Sequence, residues 1–281
     1  MSYGIEVTIK NPGQVFACLG FLELAQLLGA GGEGGFERLD RQRTRFLIEG
    51  EGGANPFAVA LEFIGNAEVE ELGLTDSRSM NAFGPHAYPA PEEDTMTRPV
   101  LLSVDGVELV LSSWTEPKNG LRHNFKLFAG NRSAASVLKQ LLHGDKKKGI
   151  AGVRQLVRED LERLVDAPFD LLVPTSGSFN LDPATGWDSL NDGYSLNQQK
   201  HRALASPILE VLALVGLQNA RPSGAGPRWC VYKVWRGPLP LSLARAAVGG
   251  GEVGVETREF RFELGSKGKG NKTVREALPL S

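Results

Sequence analysis

The chain holds four histidines, His86, His123, His143 and His201. His201 stands in LNQQKHRALASP with Lys200 and Arg202 beside it, and with Tyr194 and Asn197 just upstream. A metal-free ribonuclease uses such a set of groups, the imidazole as general base and the cations on the phosphate. The same residues also read as an exposed polar turn before a helix. On an extended segment adjacent side chains point to opposite faces, which sets Lys200 and Arg202 away from the ring. The sequence therefore assigns no catalytic residue, and His201 is the one alternative. His143 precedes Gly144 at a helix end, where an imidazolium complements the dipole.

Other reactive signatures do not form. Cys18 and Cys230 each sit in an apolar run, with no second Cys or His at metal-ligand spacing, so neither a zinc site nor a disulfide scaffold is expected. No P-loop, HExxH, nucleophile elbow or CxxC is present. The glycine run 29–35 follows a helical pattern, lacks the lysine of a phosphate cradle and reads as a connector. The acidic runs Glu68–Glu71 and Glu92–Asp94 lack paired ligand spacing. No metal and no cofactor is expected.

Cations interleaved with aromatics are the stronger signal. In WTEPKNGLRHNFKLFAGNR, Lys118, Arg122, Lys126 and Arg132 alternate with Trp114, Phe125 and Phe128, so phosphates and bases have partners; Phe125 and Phe128 read equally as core. Lys146, Lys147 and Lys148 form a glycine-flanked cluster between two helical stretches. Lys233 and Arg236 lie in RWCVYKVWR, a strand with no cleanly polar face, as at a protein or RNA interface. Lys267, Lys269 and Lys272 sit in GSKGKGNK, where glycines let backbone amides approach a phosphate. Trp187, Tyr194 and Asn197 make the loop 180–199 too aromatic for a plain linker, and it is expected to serve assembly or binding.

The elements that must position these groups follow from periodicity. Residues 3–10 alternate as a strand and stop at Asn11-Pro12-Gly13; helical spacing then runs from Gln14 to about Leu28. Strands are expected at 36–39 and 43–49, a helix from Asn55-Pro56 to about Ile64, and a hairpin of 99–104 and 107–113 around Asp105-Gly106. Helices follow at about 131–143 and 150–164, a strand at 169–173, a helix at about 206–217, and strands near 229–235 and 256–263. The order points to an α+β protein of ferredoxin-like units. Residues 1–117 form the first, acidic unit with an inserted acidic, Pro-rich loop at 68–97. Residues 118–164 are a basic, mainly helical segment, and 165–281 a second α+β unit with the glycine-rich basic loop.

Charge follows the same division. The chain of 281 residues carries a net −2. Residues 1–117 hold 7 Lys/Arg against 18 Asp/Glu, and residues 118–158 hold 10 against the single Asp145. A confined basic surface beside an acidic face suits an assembly, one side meeting a phosphate backbone and the other basic protein neighbours. No stretch approaches the apolar length of a membrane span, and the N-terminal residues lack the features of a secretory leader; with two unpaired cysteines the expectation is a cytoplasmic protein without membrane contact.

Three stretches together resemble a known family. They are Asn11–Ala25 (NPGQVFACLGFLELA), Trp114–Leu138 (through KLFAGNRSAASVL) and Phe179–Pro222 (FNLDPATGWDSLNDGYSLNQQ, then SPILEVLALVGLQNARP). They are similar to Csb-type subunits of type I-G (formerly I-U) CRISPR–Cas operons, regarded as relatives of the RAMP proteins or as a reduced large subunit of a Cascade-like effector. The resemblance spans most of the chain. It implies a ferredoxin-like fold, a glycine-rich loop near the C-terminus with GSKGKGN at the matching position, and partners that are guide RNA and/or target DNA and other effector subunits. It carries over no catalytic residue. A metal-independent endoribonuclease that processes precursor guide RNA, and a protein–protein adaptor without nucleic-acid contact, are the two alternative readings.

Overall fold

The computed structural model describes residues 1–73, 76, 78, 96–115, 125–128, 131–174, 177–185, 204–226, 228–266 and 272–280. Its centre is a pair of apolar helices. Helix α1 (Pro12–Leu27) is started by Asn11, whose side chain accepts from the Gln14 amide, and by Pro12 at its first turn. It is buried on nearly every side from Pro12 to Ala25, as a helix without a polar face must be. It crosses a second such helix, Pro207–Asn219, at two glycines. A methyl on Gly20 would lie 2.0 Å from the Leu212 carbonyl oxygen, and one on Gly216 2.0 Å from that of Phe16. Only a missing Cβ lets the two backbones approach this closely.

Around α1 the chain lays down β1 (Ser2–Thr8), β2 (Glu33–Phe36) and β3 (Arg43–Glu49). β3 runs antiparallel between the other two, with Ile5 opposite Phe46 and Gly34 opposite Ile48. That is the split βαβ arrangement, with α1 as its crossover. Helix α2 (Pro56–Asn66) begins at Asn55, whose side chain accepts from the Phe57 amide. A complete ferredoxin-like sheet would next add a strand beside β1. Instead β4 (Glu68–Glu71) joins the hairpin of β5 (Val100–Val104) and β6 (Val107–Leu111) in a separate antiparallel sheet. The acidic run expected at the start of an inserted loop is thus a strand. Val69 pairs with Leu102, while Glu68, Glu70 and Glu71 reach Arg154, Arg78 and Arg98 at 2.8, 2.9 and 3.7 Å. The rest of that expected insertion, apart from residues 72–73, 76, 78 and 96–97, lies outside the described residues.

The basic segment supplies α3 (Ala134–His143) and α4 (Val153–Asp166), joined by a 3-10 turn at Lys146–Lys148. The expected strand at 169–173 shrinks to β7 (Val173–Pro174), paired with β8 (Leu204–Ala205). Helix α5 (Pro207–Asn219) is capped by Ser206. There follow β9 (Ser223–Gly224), β10 (Trp229–Trp235), β11 (Leu239–Pro240), α6 (Leu241–Val248), β12 (Thr257–Ser266), β13 (Lys272–Val274) and β14 (Leu278–Pro279). β10 and β12 form the heart of a five-stranded antiparallel sheet, and β11 returns to pair with β2. The architecture is α+β, with small antiparallel sheets packed on a helical centre. The three sequence segments share one hydrophobic cluster, from Ile5 through Leu138 to Phe262.

Candidate nucleic-acid interface

The three segments singled out for binding meet at one point through their backbones. The Leu127 carbonyl accepts from the Asn180 side-chain amide at 3.0 Å and from the Lys272 backbone N–H at 3.1 Å. The Asn180 carbonyl in turn accepts from the Val274 N–H at 3.1 Å, with the Thr273 hydroxyl at 3.5 Å. Residues 125–128, 177–185 and β13 are therefore laced together. Each belongs to or overlaps one of the nominated stretches: 114–132, 180–199 and 265–272. The described flanks also close on themselves. The Phe125 N–H donates to the Ser113 carbonyl at 3.0 Å, and Ser266 pairs with Lys272 across the β12–β13 hairpin.

A buried carboxylate holds the middle segment. Glu210 lies in the first turn of α5 and has no solvent exposure. Its oxygens accept from the backbone N–H groups of Phe179, Leu181 and Asp182 at 2.7, 3.1 and 3.2 Å and from the Ser178 hydroxyl at 2.9 Å. Asp182, also buried, accepts from the Ala184 N–H at 3.0 Å and the Asn11 amide at 3.4 Å. Burial pushes the Glu210 carboxyl up to about 7, helped by the Asp182 charge, and burial raises Asp182 as well. Asn180 takes the left-handed conformation at φ 60° between them. Both carboxyls accept from backbone N–H groups and from a side-chain donor each, which fixes the course of residues 178–184. Glu210 was missed by sequence reasoning; a lone acid in the apolar run SPILEVLALVGL was its signal.

The aromatics nominated as base platforms are core. Trp114, Phe125 and Phe128 are all buried. Trp114 stacks on Phe179 at 5.4 Å, Phe128 meets Phe179 edge-on at 5.3 Å, and Phe125 meets Phe16 edge-on at 6.2 Å. The Trp114 indole N–H donates to the Arg98 carbonyl, so its polar edge is satisfied too. Of the open alternatives for Phe125 and Phe128, the structure selects the core, and it adds Trp114.

The cations divide. Lys126 stands over the Phe128 ring, its nitrogen 5.2 Å from the centroid, and Lys272 is exposed at the start of β13. Arg132 donates to the Gln140 side chain beside Gly177. Lys146 and Lys147 are exposed on their turn, where Gly144 and Gly149 take φ 71° and 65°; Lys148 is bonded to Asp145 at 2.7 Å. Just past that turn, Ile150 and Ala151 border a small cleft with Val173, Pro174 and Gly177. Arg236 pairs with Glu256 at 3.0 Å on the surface. Lys233 is a correction. Its strand β10 is interior to its sheet and buried on both faces, and the residue is only 7% exposed, its ammonium meeting Glu252 and Glu259. Strand β10 is accordingly a core strand, with the Tyr232 hydroxyl on the Ile9 carbonyl and the Trp235 indole on that of Gly34. Lys118, Arg122, Trp187, Tyr194, Asn197, His201, Lys267 and Lys269 lie outside the described residues.

Among the described residues, no group of three or more His, Cys, Asp or Glu is placed to hold a metal ion, and no helix is long and apolar enough to cross a membrane. No protein-family model, curated protein or solved structure matches the chain.

Proposed function

We propose that the chain is a non-catalytic subunit of a Cascade-like CRISPR ribonucleoprotein, cytoplasmic and bound to neighbouring subunits, that contacts guide RNA or target DNA. The observation that carries this reading is the junction of Leu127, Asn180 and Lys272, which joins parts of the three nominated segments. The exposed Lys272 and the Lys126 ammonium border that junction, and the lysine turn adds a second exposed cationic stretch. Cations spread over such a face engage a phosphate backbone without reading bases, and guide pairing then supplies the sequence specificity. The split βαβ arrangement of β1, α1, β2 and β3 supports the RAMP-like relationship, since it is half of a ferredoxin-like unit.

The test is binding of the full chain, alone and with its operon neighbours, to repeat RNA, single-stranded DNA and duplex DNA over a range of salt. Affinity is expected to fall steeply with salt. Substituting Lys126, Lys272, Lys146 and Lys147 by alanine should lower the slope by about 0.7 to 0.9 for each phosphate that is no longer neutralised. Unchanged slopes in the variants, or no salt-dependent binding with partners present, refute the reading. Specific cleavage abolished by His201→Ala would replace it with the ribonuclease.

A further inference from the structure

Two adjoining cavities open between the end of α1 and the start of α6. One, of about 340 Å³, is apolar and is lined by Leu24, Leu27, Leu109, Val215 and Leu241. The other, of about 470 Å³, contains Glu33 and Glu51. Gln26, Leu241 and Arg245 line both, so the two form one groove, greasy at one end and acidic at the other. Arg245 is the cation of the groove, and it is already engaged. Its guanidinium donates twice to Glu23, at 2.7 and 2.6 Å, and the Asn219 amide adds a third donor to that carboxylate. Glu33 and Glu51 have no ion-pair partner among the described residues, and Glu49 lies opposite Glu33 in the sheet register. The acidic end is therefore left with uncompensated negative charge.

The walls are fixed before anything binds. The Glu51 N–H donates to the Ala30 carbonyl at 2.9 Å, and the Leu241 N–H to that of Gly32 at 3.1 Å, which ties the glycine turn to both β3 and α6. A preformed groove needs little ordering when it is filled. Leu27, at its apolar end, is 44% exposed, a large aliphatic side chain left half open to water. The occupant that matches is neither a nucleic acid, which the carboxylates repel, nor a purely apolar helix, which would bury two unpaired acids.

We infer that this groove docks a segment of a partner protein in which an apolar anchor side chain stands beside lysine or arginine. The anchor fills the space against Leu24, Leu27 and Leu241, and the cation reaches Glu33 and Glu51. The site does not depend on the nucleic-acid reading, and its two free acids belong to the part of the chain that carries the excess of acid.

The experiment is selection from a random peptide display library on the full chain, followed by affinity measurement with the selected peptides. Selected sequences should pair an aliphatic or aromatic residue with Lys or Arg. Their affinity should drop at least tenfold in the Glu33→Lys, Glu51→Lys double variant, several-fold in Leu27→Asp, and with rising salt. All three positions are exposed or partly so, and unchanged melting curves show that the variants fold. The Lys146→Ala, Lys147→Ala variant should bind the peptides like the parent, which separates this surface from the nucleic-acid face. No enriched peptide, enrichment without basic residues, or affinity indifferent to the charge reversals overturns the inference. Dimerisation of the chain abolished by the same reversals overturns it too, in favour of a second copy as occupant.

Discussion

Glu210 makes the pH dependence of this fold predictable in sign. A free glutamate titrates near 4.5, and burial beside Asp182 pushes this one up to about 7. The folded protein thus holds the proton more tightly than the unfolded chain, the reverse of a salt-bridged acid. Its contribution is fully present below the unfolded value, declines as pH rises through the window from 4.5 to about 7, and is gone above it. Displacement over that window corresponds to about 3 kcal/mol of stability. Asp182, raised by its own burial, acts in the same direction. Glu210→Gln keeps the shape and cannot titrate. With its oxygen kept toward Leu181 and Asp182, it sets an amide N–H₂ against the Phe179 N–H, which costs about 1–3 kcal/mol whatever the pH. Urea unfolding of parent and variant from pH 4.5 to 8, followed by tryptophan fluorescence, should show the parent's advantage shrinking by about 3 kcal/mol across the window. A difference that stays constant with pH would refute the assignment of this titration to Glu210.

Four further outcomes follow from the geometry. Gly20→Ala places a methyl against the Leu212 carbonyl and should cost about 3 kcal/mol in chemical unfolding, far more than the same change at Gly32, where nothing lies within 4 Å. Asn180→Ala removes the donor to the Leu127 carbonyl and should lower stability by about 1–3 kcal/mol; Asn180→Gly relieves the left-handed backbone without restoring the bond, so it should recover only part of the loss. Cys18 and Cys230 are buried, the second pushed up to about 12, so both thiols should react with Ellman's reagent only at the rate of unfolding. Alanine at Lys146, Lys147 and Lys148 should change stability by less than about 0.5 kcal/mol, because they are exposed and the Lys148–Asp145 pair lies near the surface.

Where a dipeptide carries a backbone instruction, the fold is legible in the sequence. Asn11-Pro12, Asn55-Pro56 and Ser206-Pro207 each join a capping side chain to a first-turn proline, and all three open helices with the cap bond formed. The strand pattern of RTRFLIE and WCVYKVW reads to the residue as β3 and β10. Helix α6 escapes notice because it starts after Pro240 without a side-chain cap bond, and β4 because three of its four residues are acidic. Long-range choices are not written locally. Nothing in Glu68–Glu71 says that it pairs with β5 rather than with β1.

The same limit explains what could be read of the candidate site. Residue types singled out its three segments, but the contacts that unite them involve the Leu127 and Asn180 carbonyls, and a backbone oxygen is the same in every residue. The aromatic signal misled for a related reason. In Trp114, Phe125 and Phe128, rings next to cations suggest stacking on bases, yet the rings are needed inward, around Phe16 and Phe179, while Lys126 keeps its charge at the rim. Such a segment is better read as a core strip whose charged members are forced outward by the burial of their neighbours. The opposite inference holds for Glu210. An acid inside an otherwise apolar helix must be satisfied where it is buried, so its presence demands nearby donors that the helix itself cannot supply. Here those donors are the amides of residues 179, 181 and 182, which makes one glutamate in α5 the reason the loop next to it has a defined base.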